Sequence, residues 1–236
     1  KGRVTVTANA STSLGDLTES SKGAQAREKM LQAALVVFGE YGFDGATTRM
    51  LATQANMNLG AIPYYFGSKE DLYAQAADYL ACFIHERQAD RLQQLESNAQ
   101  TTSDKVALCD LVVAFLVGQA QIVLTENIPT SWMHFLLKAL SDKGQAFECL
   151  NRRVIEPAQS VLTTIVGRII GRNHDDPVTR TVAFLGIHQA LYIRLADSML
   201  MQRMGWDEIT PERIDTLLQT IGQAIRAQLL HFPEPH

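Results

Sequence analysis

From Ala24 onward, apolar residues recur at intervals of three and four, and each run stops at a glycine, a proline or a small polar residue. That spacing marks one face of a helix and confines the chain to helix-on-helix packing. AREKMLQAALVVFGEYG sets Met30, Leu31, Ala34, Leu35 and Phe38 on a common face, then stops at Gly39–Gly42. ATTRMLATQAN reads as a short second helix capped by Thr47 or Thr48, and NLGAIPYYF as a third. Ser68 caps a long fourth helix, with Glu70 and Asp71 in its first turn, where the helix dipole favours acids. Further helices fit 104–125, 131–141, 144–170 with a bend near Pro157, 177–204 and 211–230, the last opened by Thr210-Pro211. The expected fold is all-α with about nine helices. Three form an N-terminal unit over residues 24–70, and the rest form a larger bundle over 71–232. Residues 8–23 are rich in Ser, Thr, Gly and Ala, so 1–23 reads as a flexible arm.

Composition narrows the function. Of 236 residues, 46% are apolar and 19% charged, enough to bury a sizeable core. The net charge of −4 argues against coating nucleic acid or an anionic membrane over the whole surface, but leaves room for a local patch. Cys82, Cys109 and Cys149 are far apart and form no CxxC, so a reducing cytoplasm is the expected compartment. No uninterrupted apolar run approaches the roughly 20 residues of a membrane span. No HExxH, P-loop, G-x-S-x-G or G-x-G-x-x-G occurs, so neither an enzyme, a metal site nor a cofactor is expected.

The second and third helices fit a helix-turn-helix. Ala52 falls where two helices cross closely, and Asn56 at the turn, where the backbone goes left-handed. Leu51, Ala55, Met57, Ile62 and Tyr65 fall at inward positions. Between Asn56 and Gly67 there is no charge, and from Ala24 to Glu70 four cations (Arg27, Lys29, Arg49, Lys69) meet four anions (Glu28, Glu40, Asp44, Glu70).

TTRMLATQANMNLGAIPYYFGSKEDLY resembles the DNA-binding signature of TetR/AcrR-type transcriptional regulators, T-x-x-x-I-A-x-x-A-G-V-x-x-G-x-x-Y-x-x-F-x-S-K-E-x-L. NLGAIPYYFGSKE is similar to the CecR (YbiH)-like branch, as are FECLNRRVIEPAQSVL and MQRMGWDEITPERI further on. The resemblance implies a TetR-like fold whose third helix enters the major groove as part of a symmetric dimer. Thr48 and Lys69 match positions that grip phosphates. Arg49 is the candidate for a guanine or a central phosphate. Asn58 is expected to cap the third helix or bond a base edge. Gly60 and Ala61 leave room for close approach, and Tyr64 and Tyr65 offer hydroxyls to phosphate and ring faces to thymine methyls, with Tyr65 the one expected to pack inward. Two departures stand out. Pro63 replaces the usual Tyr and should shorten the helix, and Leu59 replaces a frequent polar residue and reads as a thymine-methyl contact.

For the body the resemblance implies an effector cavity and a dimer interface. Phe115, Gln119, Trp132, Phe135, Cys149, His188 and Tyr192 are candidates to face a small hydrophobic or aromatic effector, each also readable as ordinary core. The helices at 177–204 and 211–230 are expected to form a four-helix bundle with their symmetry mates, with Gly186, Ala190, Ala196, Gly222 and Ala224 permitting close approach. Arg194 is expected to meet Glu148, Glu156, Asp197 or a carboxylate ligand. The function expected is a ligand-responsive repressor binding a palindromic operator in double-stranded DNA as a homodimer. The alternatives are a helical DNA-binding regulator or an architectural dimer with no small-molecule effector.

Overall fold

The computed structural model describes residues 14–233 apart from 127 and 196; the side chains of 14–21, 190–193, 195 and 197 lie outside the description. In chain order the helices are α1 (Leu14–Gly45), α2 (Thr48–Gln54), α3 (Ala61–Tyr65), α4 (Lys69–Gln100), α5 (Lys105–Thr125), α6 (Thr130–Ser141), α7 (Gln145–Leu150), α8 (Glu156–Ile170), α9 (Pro177–Leu195), α10 (Asp197–Met204) and α11 (Pro211–Leu230). No strand occurs among the described residues.

Among the described residues eleven helical stretches stand where about nine helices were expected. The run 144–170 is divided by a five-residue π-helical turn, Asn151–Ile155. That turn contains Arg153, whose carbonyl the Pro157 ring would crowd four residues later, so the irregularity falls just ahead of the proline. The run 177–204 comprises Pro177–Leu195 and Asp197–Met204, with residue 196 between them outside the described residues. At the other end α1 begins at Leu14, inside the stretch read as an arm, while residues 1–13 lie outside the described residues. Gly42, at φ 73°, breaks α1 where the glycines predicted a stop.

Two apolar cores result. The first joins Met30, Leu35 and Phe38 of α1 to Leu51, Ile62, Leu72 and Leu80, and continues into Trp132 and Phe135 of α6. Residue 70, where the boundary was expected, lies in the first turn of α4, and the first core runs across it. A methyl placed on Gly39 would sit 1.9 Å from the Ser131 carbonyl oxygen, so α1 and α6 meet backbone to backbone. Lys138 Nζ donates to the Gly39 carbonyl at 2.6 Å across the same contact.

The second core gathers Leu108, Cys109, Val112 and Phe115 of α5 with Leu162, Ile169, Val182 and Ile225. α5 has a mean hydropathy of 2.0, long and apolar enough to cross a bilayer by length and composition alone. Here it packs against α4, α8, α9 and α11, with a third of that apolar stretch buried. The small residues of α9 and α11 serve this same packing. A Cβ on Gly186 would meet Leu116 at 3.0 Å, and one on Gly222 would meet Val117 at 3.2 Å. Gly186 and Gly222 thus admit α5 within the protomer, contrary to their expected place between subunits. Ala224 is exposed, and the side chains of Ala190 and Ala196 lie outside the described residues.

Candidate nucleic-acid interface

α2 is capped by Thr47, whose hydroxyl accepts the Met50 N–H at 3.2 Å, leaving Thr48 and Arg49 exposed in its first turn. At its end Asn56 adopts φ 51°, and the Met57 N–H reaches back to the Ala52 carbonyl at 2.9 Å. Ala52 itself is only 3% exposed. A larger side chain there would push the two helices apart.

α3 is five residues long. Pro63 is its third, so the missing N–H is one that the first turn leaves free in any case. The helix is preceded by Gly60 without any side-chain cap, so the capping role expected of Asn58 is not taken up. Asn58 instead accepts the Ala61 N–H on its own carbonyl at 3.1 Å. Gly67, at φ 88°, ends the unit, and Ser68 caps α4 by accepting the Asp71 N–H at 3.0 Å.

The two faces of α3 differ sharply. Ile62 is 2% exposed and Ala61 6% exposed, both within the first core. Ala61 therefore turns its methyl inward and offers no side chain to a groove. Leu59 is 55% and Tyr64 80% exposed, and Asn58 and Gly60 lie beside them at the surface. Tyr65 is half-buried against the core. Lys69 lies with its ammonium 4.4 Å from the Phe43 ring centroid, partly buried and held by a cation–π contact.

In the body, a cavity of about 150 Å³ opens among α4, α5, α6, α8 and α9. Phe115, Gln119 and His188, named as candidates to face an effector, line it. Trp132 and Phe135 do not. Trp132 packs edge-on to Phe83 and Tyr79, at 5.2 and 6.0 Å between ring centroids, and Phe135 is enclosed with Phe38 and Tyr73. Cys149 sits elsewhere, its Sγ 3.4 Å from Asp78 Oδ1, and burial followed by that carboxylate pushes its thiol up to about 11. The Tyr192 side chain lies outside the described residues. Arg194 donates Nη2 to the Ile128 carbonyl at 3.3 Å.

Sequence reasoning missed the α4 wall: Phe83, Ile84, Arg87 and Gln88. Their spacing of one, three and one along a single helix marks a common face and was the available signal. Arg87 donates Nε to Glu126 at 2.7 Å and Nη1 to the Phe83 carbonyl at 3.0 Å, so its charge is already matched. Gln88, 6% exposed, donates Nε2 to the Val154 carbonyl in the π turn and accepts Gln119 Nε2 at 2.9 Å.

Comparison with known proteins agrees with this geometry. Residues 30–76 match the model of bacterial regulatory proteins of the tetR family, and residues 108–230 that of the C-terminal domain of the HTH-type transcriptional dual regulator CecR. The CecR protein of Shigella flexneri is 33% identical over 203 residues, spanning 85% of this chain and 89% of that one. The HTH-type transcriptional repressor NicS of Pseudomonas putida is 32% identical over 81 residues, 34% of this chain and 38% of NicS. Among solved structures, the hemolysin II transcriptional regulator HlyIIR superposes with a TM-score of 0.58 at 17% identity, covering 86% of this chain and 97% of its own. FadR from Bacillus subtilis in complex with stearoyl-CoA gives 0.52 at 13% identity over 88% and 99%. With a matched reading head at one end and a matched body at the other, the chain belongs to the TetR family of DNA-binding transcriptional regulators, in its CecR branch.

Proposed function

We propose that the chain is a ligand-responsive repressor that binds a palindromic operator as a homodimer and leaves it when a small hydrophobic effector enters the body. The observation that carries the reading is the two-sided α3: Ile62 anchors it while Leu59 and Tyr64 stand in solvent on a compact, uncharged tip. Such a tip lets backbone and aromatic edge approach bases and phosphates closely. Thr48, Arg49, Asn58 and Gly60 flank it, with Lys69 at the start of the next helix. One five-residue helix reads few bases, so two copies are required, set about 34–36 Å apart on successive major grooves. The apolar outer face of α9, with Phe184 and Leu185 exposed, supports dimerisation there.

α4 links the two ends. Its first turn follows α3, and farther along Phe83, Ile84, Arg87 and Gln88 wall the cavity. An effector that shifts α4 changes the distance between the two tips. Coupling of this kind is worth about 1–3 kcal/mol, sufficient to release DNA. Work on chromosomal DNA puts the protein in the cytoplasm.

The test uses DNA selected by the protein from a random pool. Tyr64→Ala and Lys69→Ala should each weaken binding to that DNA by about tenfold and leave the subunit assembly unchanged. Wild-type affinity in both variants would remove α3 from the interface.

A further inference from the structure

The cavity contains a short chain of amides whose polarity is fixed from one end. Val154 presents a carbonyl oxygen, which only accepts. Gln88 must therefore turn its NH2 toward it, at 3.3 Å. That leaves Gln88 Oε1 facing Gln119, which must answer with its own NH2, at 2.9 Å. The oxygen of Gln119 is then left over, without a partner among the described residues, on a residue that lines the cavity. On α9, His188 Nδ1 lies 2.7 Å from the Phe184 carbonyl. A ring donating there keeps Nε2 as an acceptor while it is neutral. The cavity thus offers acceptors. Among the described lining residues the one cation is Arg87, matched by Glu126 at 2.7 Å, and much of the remaining wall is apolar: Phe83, Ile84, Phe115, Leu116, Met133, Leu136.

Volume sets the size of the occupant. An apolar cavity of about 150 Å³ holds one benzene-sized ring. We infer that this site takes a neutral, single-ring molecule that brings one O–H or N–H donor to the free oxygen of Gln119. The inference rests on the effector-responsive reading and specifies the chemistry of that effector. Among the described lining residues an aryl carboxylate meets only the already paired Arg87 and the free oxygen of Gln119, and an aryl ammonium would have to leave water for a site with no unpaired anion among them.

Titration calorimetry of the full chain with benzyl alcohol, toluene, benzoate and benzylamine tests the assignment. Benzyl alcohol should bind about tenfold more tightly than toluene, the difference one hydrogen bond makes. Benzoate and benzylamine should bind more weakly than toluene. Gln119→Met should bring benzyl alcohol down to the level of toluene and leave toluene unchanged. Gln119→Glu should reverse the order in favour of benzylamine. Benzoate ranking first, benzyl alcohol undiminished in Gln119→Met, or no binding by any of the four probes overturns the assignment. Fluorescence anisotropy with the selected DNA runs in parallel and separates the two readings. The expected ranking with DNA affinity unmoved supports the ligand class and counts against effector release. No probe binding with DNA affinity intact overturns the ligand class and leaves the DNA-binding reading in place.

Discussion

Tyr64 and Tyr65 are neighbours in the chain with ring centroids 4.7 Å apart and ring planes at 85°, yet Tyr64 is 80% exposed while Tyr65 packs against the first core. Side chains one residue apart on a helix point about 100° away from each other, so a five-residue helix docked by Ile62 must send one ring out and one in. The two tyrosines should respond oppositely. Tyr64→Ala is expected to change folding stability by less than about 0.5 kcal/mol while weakening DNA binding, and Tyr65→Ala to cost about 1–2 kcal/mol in urea melts. Equal destabilisation by both would mean that α3 is docked in another rotation.

Gly39 and Gly45 make a second contrasting pair, on α1. A Cβ at Gly39 would lie 1.9 Å from the Ser131 carbonyl oxygen, an atom of backbone that cannot swing aside, whereas at Gly45 the nearest atom is Tyr41 Cβ at 3.5 Å. Gly39→Ala should destabilise the protein by about 3 kcal/mol through forced separation of α1 from α6. Gly45→Ala should be neutral or stabilise by up to about 0.5–1 kcal/mol. Thermal melts of the two variants read this directly, and a Gly39→Ala protein as stable as wild type would place α6 farther from α1.

Stability should decline in alkali. Burial, then the charge of Asp142, pushes the Tyr73 hydroxyl up to about 12 from 10.0, and burial followed by Asp78 raises the Cys149 thiol to about 11 from 9.0. Both groups are acids whose neutral form the native state favours. Their contribution is complete below pH 9 and is lost as pH climbs through about 11 and then about 12, because the unfolded chain ionises first. Urea midpoints measured from pH 8 upward should fall past pH 9, and Tyr73→Phe with Cys149→Ala should flatten the decline. A midpoint constant to pH 11 in the wild type would contradict the environments of both groups.

Salt should weaken DNA binding only gently. Four cations are balanced by four anions between Ala24 and Glu70. Arg27 bonds Gln75 and lies 5.3 Å from the Phe66 ring centroid, and Lys69 leans on Phe43. Contacts to about 4–8 phosphates per dimer give a log–log slope between about −4 and −7. Anisotropy at several KCl concentrations measures it, and a steeper slope would bring the cations of residues 1–13 into the interface.

Much of the reading head was legible because its determinants are local. Thr47 and Ser68 cap from within three residues, Asn56 meets a left-handed φ at its own position, and Pro63 limits the helix that contains it. The cavity was only half legible. Phe115, Gln119 and His188 line it, but an aromatic side chain suits a core as well as a cavity, and only the packing of α6 on α4 and α1 separates Trp132 and Phe135 from them. The glycines of α9 and α11 mark close approach, while the approaching partner, α5, depends on how the helices assemble.

The sequence by itself determined where helices start and stop and which face of each is apolar, because caps, glycines and three-four spacing act within a few residues of backbone. Only the tertiary structure decided which apolar faces meet and which polar atoms are left over where they fail to close. Val154, Gln88 and Gln119 lie on three separate segments, and the amide chain that frees one oxygen exists only once those segments are packed together.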